Sequence, residues 1–110
     1  MKKIIKTNLE TQFVSLTQGA KAVDLFVKHT FNCQAIYLLN NQCYSGKAEH
    51  GDIVISIFEG NGELTWKHGT ENLVLHILTH DIIYIPHHSL YSILNLEDER
   101  LMLSFLNFGR

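Results

Sequence analysis

The sequence predicts an all-β protein, because short strand-like runs recur between turn signals and the composition suits one core. Turn signals such as Asn40-Asn41, His80-Asp81 and Glu97-Asp98-Glu99 separate runs of apolar and β-branched residues. This regular spacing is typical of a sandwich or barrel whose sheets close on each other. With 110 residues, 45% of them hydrophobic, the chain can bury one modest core but not two.

The stretch from Asp52 to Trp66 is the centre of this prediction. Residues 53–58 are mostly β-branched or aromatic, which favours a strand buried on both faces. The pair Asn61-Gly62 follows, and Leu64 and Trp66 then continue on one face of a return strand. Because Asn and Gly best tolerate positive φ at both central positions of a type I′ turn, we expect a tight hairpin here.

The remaining elements are also predicted as strands. Residues 13–16 are a candidate edge strand, while the periodicity of residues 20–29 fits both a helix face and a strand. We favour a strand for residues 20–29 because all that follows is strand. We expect no helix longer than about two turns. The other predicted strands cover residues 34–39, 73–78, 82–85, 90–95 and 100–108.

Charge and cysteine content limit the possible partners. Nine Lys and Arg against 11 Asp and Glu give a net charge of −2, which does not favour nucleic-acid binding. The basic start lacks the apolar segment of a signal peptide, and no apolar run is long enough to span a membrane. Without a secretory signal, Cys33 and Cys43 are expected to be reduced. We expect a cytoplasmic protein without nucleic-acid or membrane partners.

Two motifs give the chain a resemblance to a known family. The phrases FEGNGEL and HDIIYIP, with the spacing around them, resemble the two motifs of the cupins, which are small jelly-roll barrels (double-stranded β-helices). The resemblance implies a single domain over residues 1–110, with the first motif at about 41–60 and the second at about 80–95. Gly60, Pro86 and Asn95 match motif residues. Three motif glycines are replaced, by Asn41, His80 and His88.

The resemblance also identifies where a metal would be held. Cupins bind a divalent metal with two His and a Glu of the first motif and a His of the second. These positions are occupied here by Lys47, Glu49, Ile53 and Tyr91. An ammonium has no lone pair, Ile cannot ligate, and a phenol is a poor ligand at neutral pH. A single carboxylate does not make a site, so we expect neither a metal nor another cofactor.

The histidines offer a second possible set of metal ligands. His50, His87 and His88 are the fallback candidates. Strand geometry directs His50 away from the barrel interior and turns His87 and His88 to opposite sides. His76 and His80 have ligand spacing for a helix, but they flank a strand end and a turn. Exposed or turn histidines are therefore favoured over a metal site.

Three polar residues invite a functional interpretation. If the motif frame holds, Lys47, Glu49 and Tyr91 all point at the barrel mouth, with Ile53 below them. In a metal-free enzyme, Tyr91 would act as general acid, Glu49 as base, and Lys47 would neutralise a carboxylate or enolate. Alternatively, Lys47 and Glu49 form an ion pair that fills the metal position, hydrogen-bonded by Tyr91, or both lie in a loose loop. A structural or loop role is favoured, because barrel mouths collect polar groups whether or not they react.

Three classes of function remain open. The first and favoured one is a non-catalytic module that binds a small apolar or mixed ligand through Lys47, Glu49, Ile53, Ile55, Trp66 and Tyr91. The second is a metal-free or atypically metal-dependent enzyme, such as a lyase, isomerase or epimerase, that acts on a small carboxylate or sugar derivative. The third is a dimeric interaction protein that acts through its dimer face, while Ile53, Ile55 and Ile57 simply fill the barrel.

The pattern of apolar residues also predicts a homodimer. The strands at residues 53–58 and 100–108 are apolar on both faces, whereas a barrel has only one interior. An outward apolar face must be covered by the N-terminal segment or by a partner. Closed two-fold pairing is the commonest solution, and the resemblance agrees, because small cupins are often dimers.

Overall fold

The computed structural model describes residues 14–15, 21–27 and 31–109, and within them the chain is all-β as predicted. The described residues form ten strands in two antiparallel sheets. In the described part, no helix is long and apolar enough to cross a membrane. The strands are β1 (Val14–Ser15), β2 (Lys21–Val27), β3 (Phe31–Leu38), β4 (Cys43–Lys47), β5 (Ile53–Glu59), β6 (Gly62–His68), β7 (Glu71–Ile77), β8 (Ile82–Ile85), β9 (Leu90–Leu94) and β10 (Leu101–Phe108).

The two sheets pack face to face and enclose the core. The larger sheet has the order β1-β2-β3-β10-β5-β8, and the smaller has the order β4-β9-β6-β7. Alternate side chains of each strand point inward, which is why buried residues recur with a period of two along β5 and β9. The largest inward side chains of both sheets are completely buried, among them Ile36, Ile55, Phe105, Leu64 and Ile93.

The expected hairpin between β5 and β6 is wrong. β5 pairs with β8 and β10 in the larger sheet, whereas β6 pairs with β7 and β9 in the smaller one. The chain therefore crosses between the sheets, and its positive φ of 93° lies at Gly60 rather than at Asn61 or Gly62. A Cβ at Gly60 would lie 2.4 Å from the carbonyl oxygen of Arg100, so this close crossing requires glycine.

Two further expectations about strands need correction. β5 is not buried on both faces: its inward isoleucines are buried, while Val54 and Ser56 are half-buried and Phe58 is exposed. The strand β4 was missed, because its sequence CYSGK lacks the β-branched residues that mark a strand. It forms nevertheless because β9 offers a pairing edge along its whole length.

The other predicted strands agree with the structure apart from their ends. β8 has the predicted bounds, and β2 confirms the strand interpretation within residues 20–29. β3 begins at Phe31, three residues before the predicted start at residue 34. Parts of the predictions for residues 13–16 and 20–29, and the N-terminal segment proposed as a cover, lie outside the described residues.

The motif frame is visible in the backbone. Four residues at or replacing motif glycines have positive φ: Asn41 at 63°, Gly60 at 93°, His80 at 76° and His88 at 74°. Such values are uncommon for residues other than glycine, and Asn and His tolerate them better than most. The chain has thus kept the turns of the frame after losing three of its glycines.

The buried Asn95, which matches the last motif residue, connects the end of β3 to the loop after β9 by hydrogen bonds. Its Nδ2 donates to the carbonyl oxygens of Leu38 at 3.0 Å and Glu99 at 2.8 Å, and its Oδ1 accepts from the backbone N–H of Glu97 at 3.0 Å. The end of β3 and the loop after β9 are therefore held to one side chain.

Candidate functional site

The register of β4 decides which side chains enter the barrel. Lys47 pairs with Leu90 of β9, and both are exposed, whereas Gly46 pairs with the buried Tyr91. The ladder continues to the buried Ala48, whose backbone N–H donates to Ser89 at 2.9 Å. Lys47 and Tyr91 therefore lie on opposite faces of the smaller sheet. The expected convergence of Lys47, Glu49 and Tyr91 does not occur.

The space beside Gly46 is filled by aromatic rings. A Cβ at Gly46 would lie 2.5 Å from the hydroxyl oxygen of Tyr91, so the tyrosine covers this glycine directly. Phe105 has its ring centroid 5.4 Å from those of both Tyr91 and Tyr44. Burial, helped by the neighbouring and hydrogen-bonded Tyr44, raises the pKa of Tyr91 far above its usual value. Tyr91 is therefore a neutral, packed phenol.

The inward residues do not fit the metal that the cupin resemblance implies. The inward positions nearest the metal positions are occupied by Gly46, Ala48, Ile53 and Tyr91. Of these side chains only a neutral phenol carries a donor atom, which is a poor set for a divalent ion. Across the described ranges, no cluster of three or more His, Cys, Asp or Glu could hold a metal.

The fallback histidines lie outside the barrel. His50 is exposed in the loop after β4. His87 and His88 do not turn to opposite sides, as expected, but stack with ring centroids 3.6 Å apart and planes 15° apart. The expectation failed because these residues form a turn, and the positive φ of His88 reverses the direction of its side chain. The Nε2 atom of His87 lies 2.9 Å from the carbonyl oxygen of Glu49.

A polar depression opens at the mouth of the sandwich, next to the start of β5. We call it the mouth depression; its volume is about 220 Å³. Its floor is the buried Ile53, and its walls include three inward carboxamides, those of Asn32, Gln34 and Asn107. The loop after β4 adds Lys47, Ala48, Glu49, His50 and Gly51, and Phe108 and Gly109 complete the lining.

Hydrogen bonds hold the three carboxamides in place. The Nδ2 of Asn107 donates to the Oδ1 of Asn32 at 3.0 Å, across the paired strands β3 and β10. The Nε2 of Gln34 donates to the Oδ1 of Asp24 on β2 at 3.0 Å. Each carboxamide group keeps further donor or acceptor capacity for a ligand.

Sequence reasoning missed these carboxamides. Asn32 and Gln34 are two residues apart, so they share one face of a strand, and Asn107 interrupts the apolar pattern of the last strand. The available signal was the presence of polar residues on a strand face that is otherwise apolar and points inward. It was overlooked because the predicted strand began only at residue 34.

The proposed ligand-binding residues divide into two groups. Lys47, Glu49 and Ile53 line the mouth depression, whereas Ile55, Trp66 and Tyr91 do not. Ile55 is completely buried in the core. Trp66 is half-buried, donates through Nε1 to the hydroxyl of Ser89 at 2.8 Å and stacks on His68. Trp66 is therefore a rim residue held by the fold.

Both cysteines are free thiols. Cys33 is buried, and this burial raises the pKa of its thiol. Cys43 is half-buried and contacts the hydroxyl of Ser92 at 3.3 Å. Neither sulfur lies at the mouth depression.

A jelly roll of two antiparallel sheets with these turns defines a cupin-type barrel, and comparison with solved structures agrees. The cupin domain of Cnp3 from Schizosaccharomyces pombe is 18% identical, with a TM-score of 0.80 over 98% of this chain and 71% of that one. CENP-C of Drosophila melanogaster, solved bound to CAL1, is 17% identical, with a TM-score of 0.81 over 93% and 82%.

KdgF from Halomonas sp. is 14% identical, with a TM-score of 0.79 over 99% of this chain and 96% of that one. No protein-family model and no curated protein matches the sequence. At such identities a likeness extends to the fold alone. The chain therefore has the fold of the cupin superfamily, as its motif spacing predicted.

Proposed function

We propose that this protein is a non-catalytic binding module that holds a small polar ligand in the mouth depression. The observation that carries the proposal is the placement of Asn32, Gln34 and Asn107 around the apolar floor of Ile53. Carboxamides donate and accept hydrogen bonds without carrying charge, so they suit neutral groups such as hydroxyls and amides. The depression is smaller than the ~300–1,000 Å³ typical of drug-sized ligands, so the ligand is a small one.

The packed position of Tyr91 inside the barrel favours a binding module over an enzyme. A general acid must reach the same substrate as its base, but Tyr91 is packed beneath the smaller sheet and hydrogen-bonded to Tyr44. Lys47 and Glu49 are at the depression and exposed to water, where they are suited to steering a ligand. We therefore assign these two residues to the rim of the site.

A thermal-shift screen with neutral monosaccharides, sugar acids and small amides tests this proposal. A ligand that binds the folded state raises the melting temperature by an amount that grows with the logarithm of its concentration above Kd. An Asn107→Leu variant, compared with and without the ligand, should lose the shift, because the central carboxamide is gone. The matched control is Asn72→Leu, an exposed amide on β7 far along the other sheet, which should keep it. Equal shifts in both variants would refute the assignment.

Association with another protein is a second candidate function, and a separate observation favours it. Large apolar side chains remain exposed on the outer face of the larger sheet, at β5 and β8. Support also comes from the Drosophila melanogaster CENP-C structure, in which a chain of similar fold is bound to CAL1.

A further inference from the structure

A row of hydroxyl groups lies beside a row with two lysines on the outer face of the smaller sheet. The hydroxyl row, followed by register across β4, β9 and β6, consists of Ser45, Ser92 and Thr65. The next row on the same face, two positions along each strand, consists of Lys47, Leu90 and Lys67. We call these two rows together the hydroxyl–lysine site.

The hydroxyl row forms the bottom of an open depression. The volume of this depression is about 470 Å³, and its lining includes the three hydroxyl residues together with Leu90 and Lys67. The depression exists because the Ser and Thr side chains are short, whereas Leu90 and Lys67 beside them are longer. A ligand seated there would meet hydroxyl groups below and an ammonium group at its side.

The hydrogen bonds of the hydroxyl row leave donors for a ligand. The Oγ of Ser45 donates to the Oγ of Ser92 at 2.9 Å. The Sγ of Cys43 lies 3.3 Å from the same Ser92 oxygen, and when the thiol donates, the O–H of Ser92 can donate outward. Among the described residues, the hydroxyl of Thr65 has no hydrogen-bond partner, so it offers a second donor.

The two lysines of the site keep their positive charge available. Within the described part of the chain, neither Lys47 nor Lys67 has an acidic partner at ion-pair distance. The acidic residue of β6, Glu63, lies in the row beyond the hydroxyls and opposite His76. Neighbouring strands are about 4.8 Å apart, so the backbones of the two lysines, on either side of β9, are about 10 Å apart. Their flexible four-carbon stems can therefore bring both ammonium groups to one anion.

We propose that the hydroxyl–lysine site binds a phosphate monoester. Such a group carries a charge of about −1.5 to −2 at neutral pH and three strong acceptor oxygens, which match two ammonium groups and the hydroxyl donors. A carboxylate fits less well, because it carries a single charge and is matched best by the planar fork of Arg, which neither row contains. Leu90, 51% exposed between the two lysines, offers an apolar contact to the organic part of the ester.

Titration with phenyl phosphate, followed by backbone amide NMR at constant ionic strength, tests this inference. Saturable shifts should centre on residues 64–67 and 90–93, where β6 and β9 pair. Inorganic phosphate should shift the same amides with a higher Kd, because it leaves Leu90 uncovered. Benzoate, which has the same ring but a carboxylate, should bind more weakly than phenyl phosphate.

Substitutions in the two rows identify the groups that bind the anion. Lys67→Glu should raise the Kd for phenyl phosphate by roughly tenfold or more, because a carboxylate then faces the anion. The matched control is Lys21→Glu, which makes the same charge change on β2 of the larger sheet and should keep the wild-type Kd. Thr65→Val replaces one hydroxyl by a methyl group and should raise the Kd roughly three- to tenfold, as expected for the loss of one hydrogen bond.

A further variant separates this site from the mouth depression. The two sites share only Lys47, which is left unchanged in every variant. Asn107→Leu, in the mouth depression, should therefore bind phenyl phosphate like wild type, and circular dichroism confirms that each variant is folded. The proposal would be overturned by the absence of saturable shifts on β6 and β9, or by benzoate or inorganic phosphate binding as tightly as phenyl phosphate. Equal Kd values for Lys67→Glu and Lys21→Glu, or a loss of binding in Asn107→Leu, would overturn it as well.

Discussion

Replacing His80 by glycine should stabilise the fold. His80 lies in the turn between β7 and β8 with φ of 76°, and its side chain is exposed. A left-handed conformation costs an L-residue roughly 1–2 kcal/mol relative to glycine. Glycine also gives the unfolded chain more conformational freedom, which lowers the free energy of unfolding by about 0.4–1 kcal/mol. The difference of these two effects is about 0–1.6 kcal/mol, so we expect His80→Gly to raise the free energy of unfolding by about 0.8 kcal/mol.

Urea unfolding monitored by the fluorescence of Trp66, the single tryptophan, measures this change. The backbone N–H of residue 80 donates to the carbonyl oxygen of Ile57 at 2.9 Å, and glycine keeps this bond. His80→Ala keeps the Cβ and should bring no gain. His76→Gly, at an exposed position of the extended strand β7, should lower stability by about 0.5–1 kcal/mol. If His80→Gly lowers it as well, the argument from backbone strain is refuted.

Three further predictions concern the barrel interior and its edge. Gly46→Ala should destabilise the fold by about 1–2 kcal/mol because its Cβ would overlap the hydroxyl of Tyr91, and adding Tyr91→Phe should recover part of the loss in urea unfolding. The hydrogen bond from Tyr84 lowers the pKa of Asp52 below its usual 3.8, and the backbone N–H of His87 lowers it further. The ionised carboxylate therefore stabilises the folded state above pH 3.8, and this stabilisation is lost as the pH falls through the lowered pKa. Tyr84→Phe should raise this pKa in a carboxyl NMR titration and reduce the acid-dependent loss, and an unchanged pKa would contradict the assignment. Calorimetry should detect divalent-metal binding in the quadruple variant Gly46→His, Ala48→His, Ile53→Glu and Tyr91→His. The set that replaces Lys47 and Glu49 by His instead of Gly46 and Ala48 should not bind, because Lys47 lies on the outer face beside Leu90 and Glu49 is exposed in the loop after β4.

The fold could be predicted because the motif frame is a set of backbone requirements. Asn41, His80 and His88 still make left-handed turns, so the spacing of the frame remained readable after its glycines were lost. The pairing of the strands could not be predicted from the same signals. The propensity of Asn61-Gly62 for a hairpin is local, whereas the separation of β5 and β6 into two sheets depends on partners far away in sequence.

The site was predicted less well, because it depends on single-residue register. Lys47 and Glu49 were assigned to inward positions by counting from the motif, but the ladder with β9 puts Gly46 and Ala48 inside. A shift of one residue exchanges the two faces of a strand, and a strand with Gly and Ser offers no apolar pattern to fix it. The buried position of Ile53 was placed correctly, because its strand carries alternating isoleucines.

The central position of β10 in the larger sheet has a consequence for biosynthesis. β10 lies between β3 and β5, so the middle of that sheet is the last of its strands to be made. The smaller sheet consists of strands that all precede residue 95 and can pair earlier. Until residues 101–108 leave the ribosome, β3 and β5 each present an unpaired edge with apolar side chains. Folding must wait for these residues, and a nascent chain that stalls before them is exposed to aggregation and to chaperones.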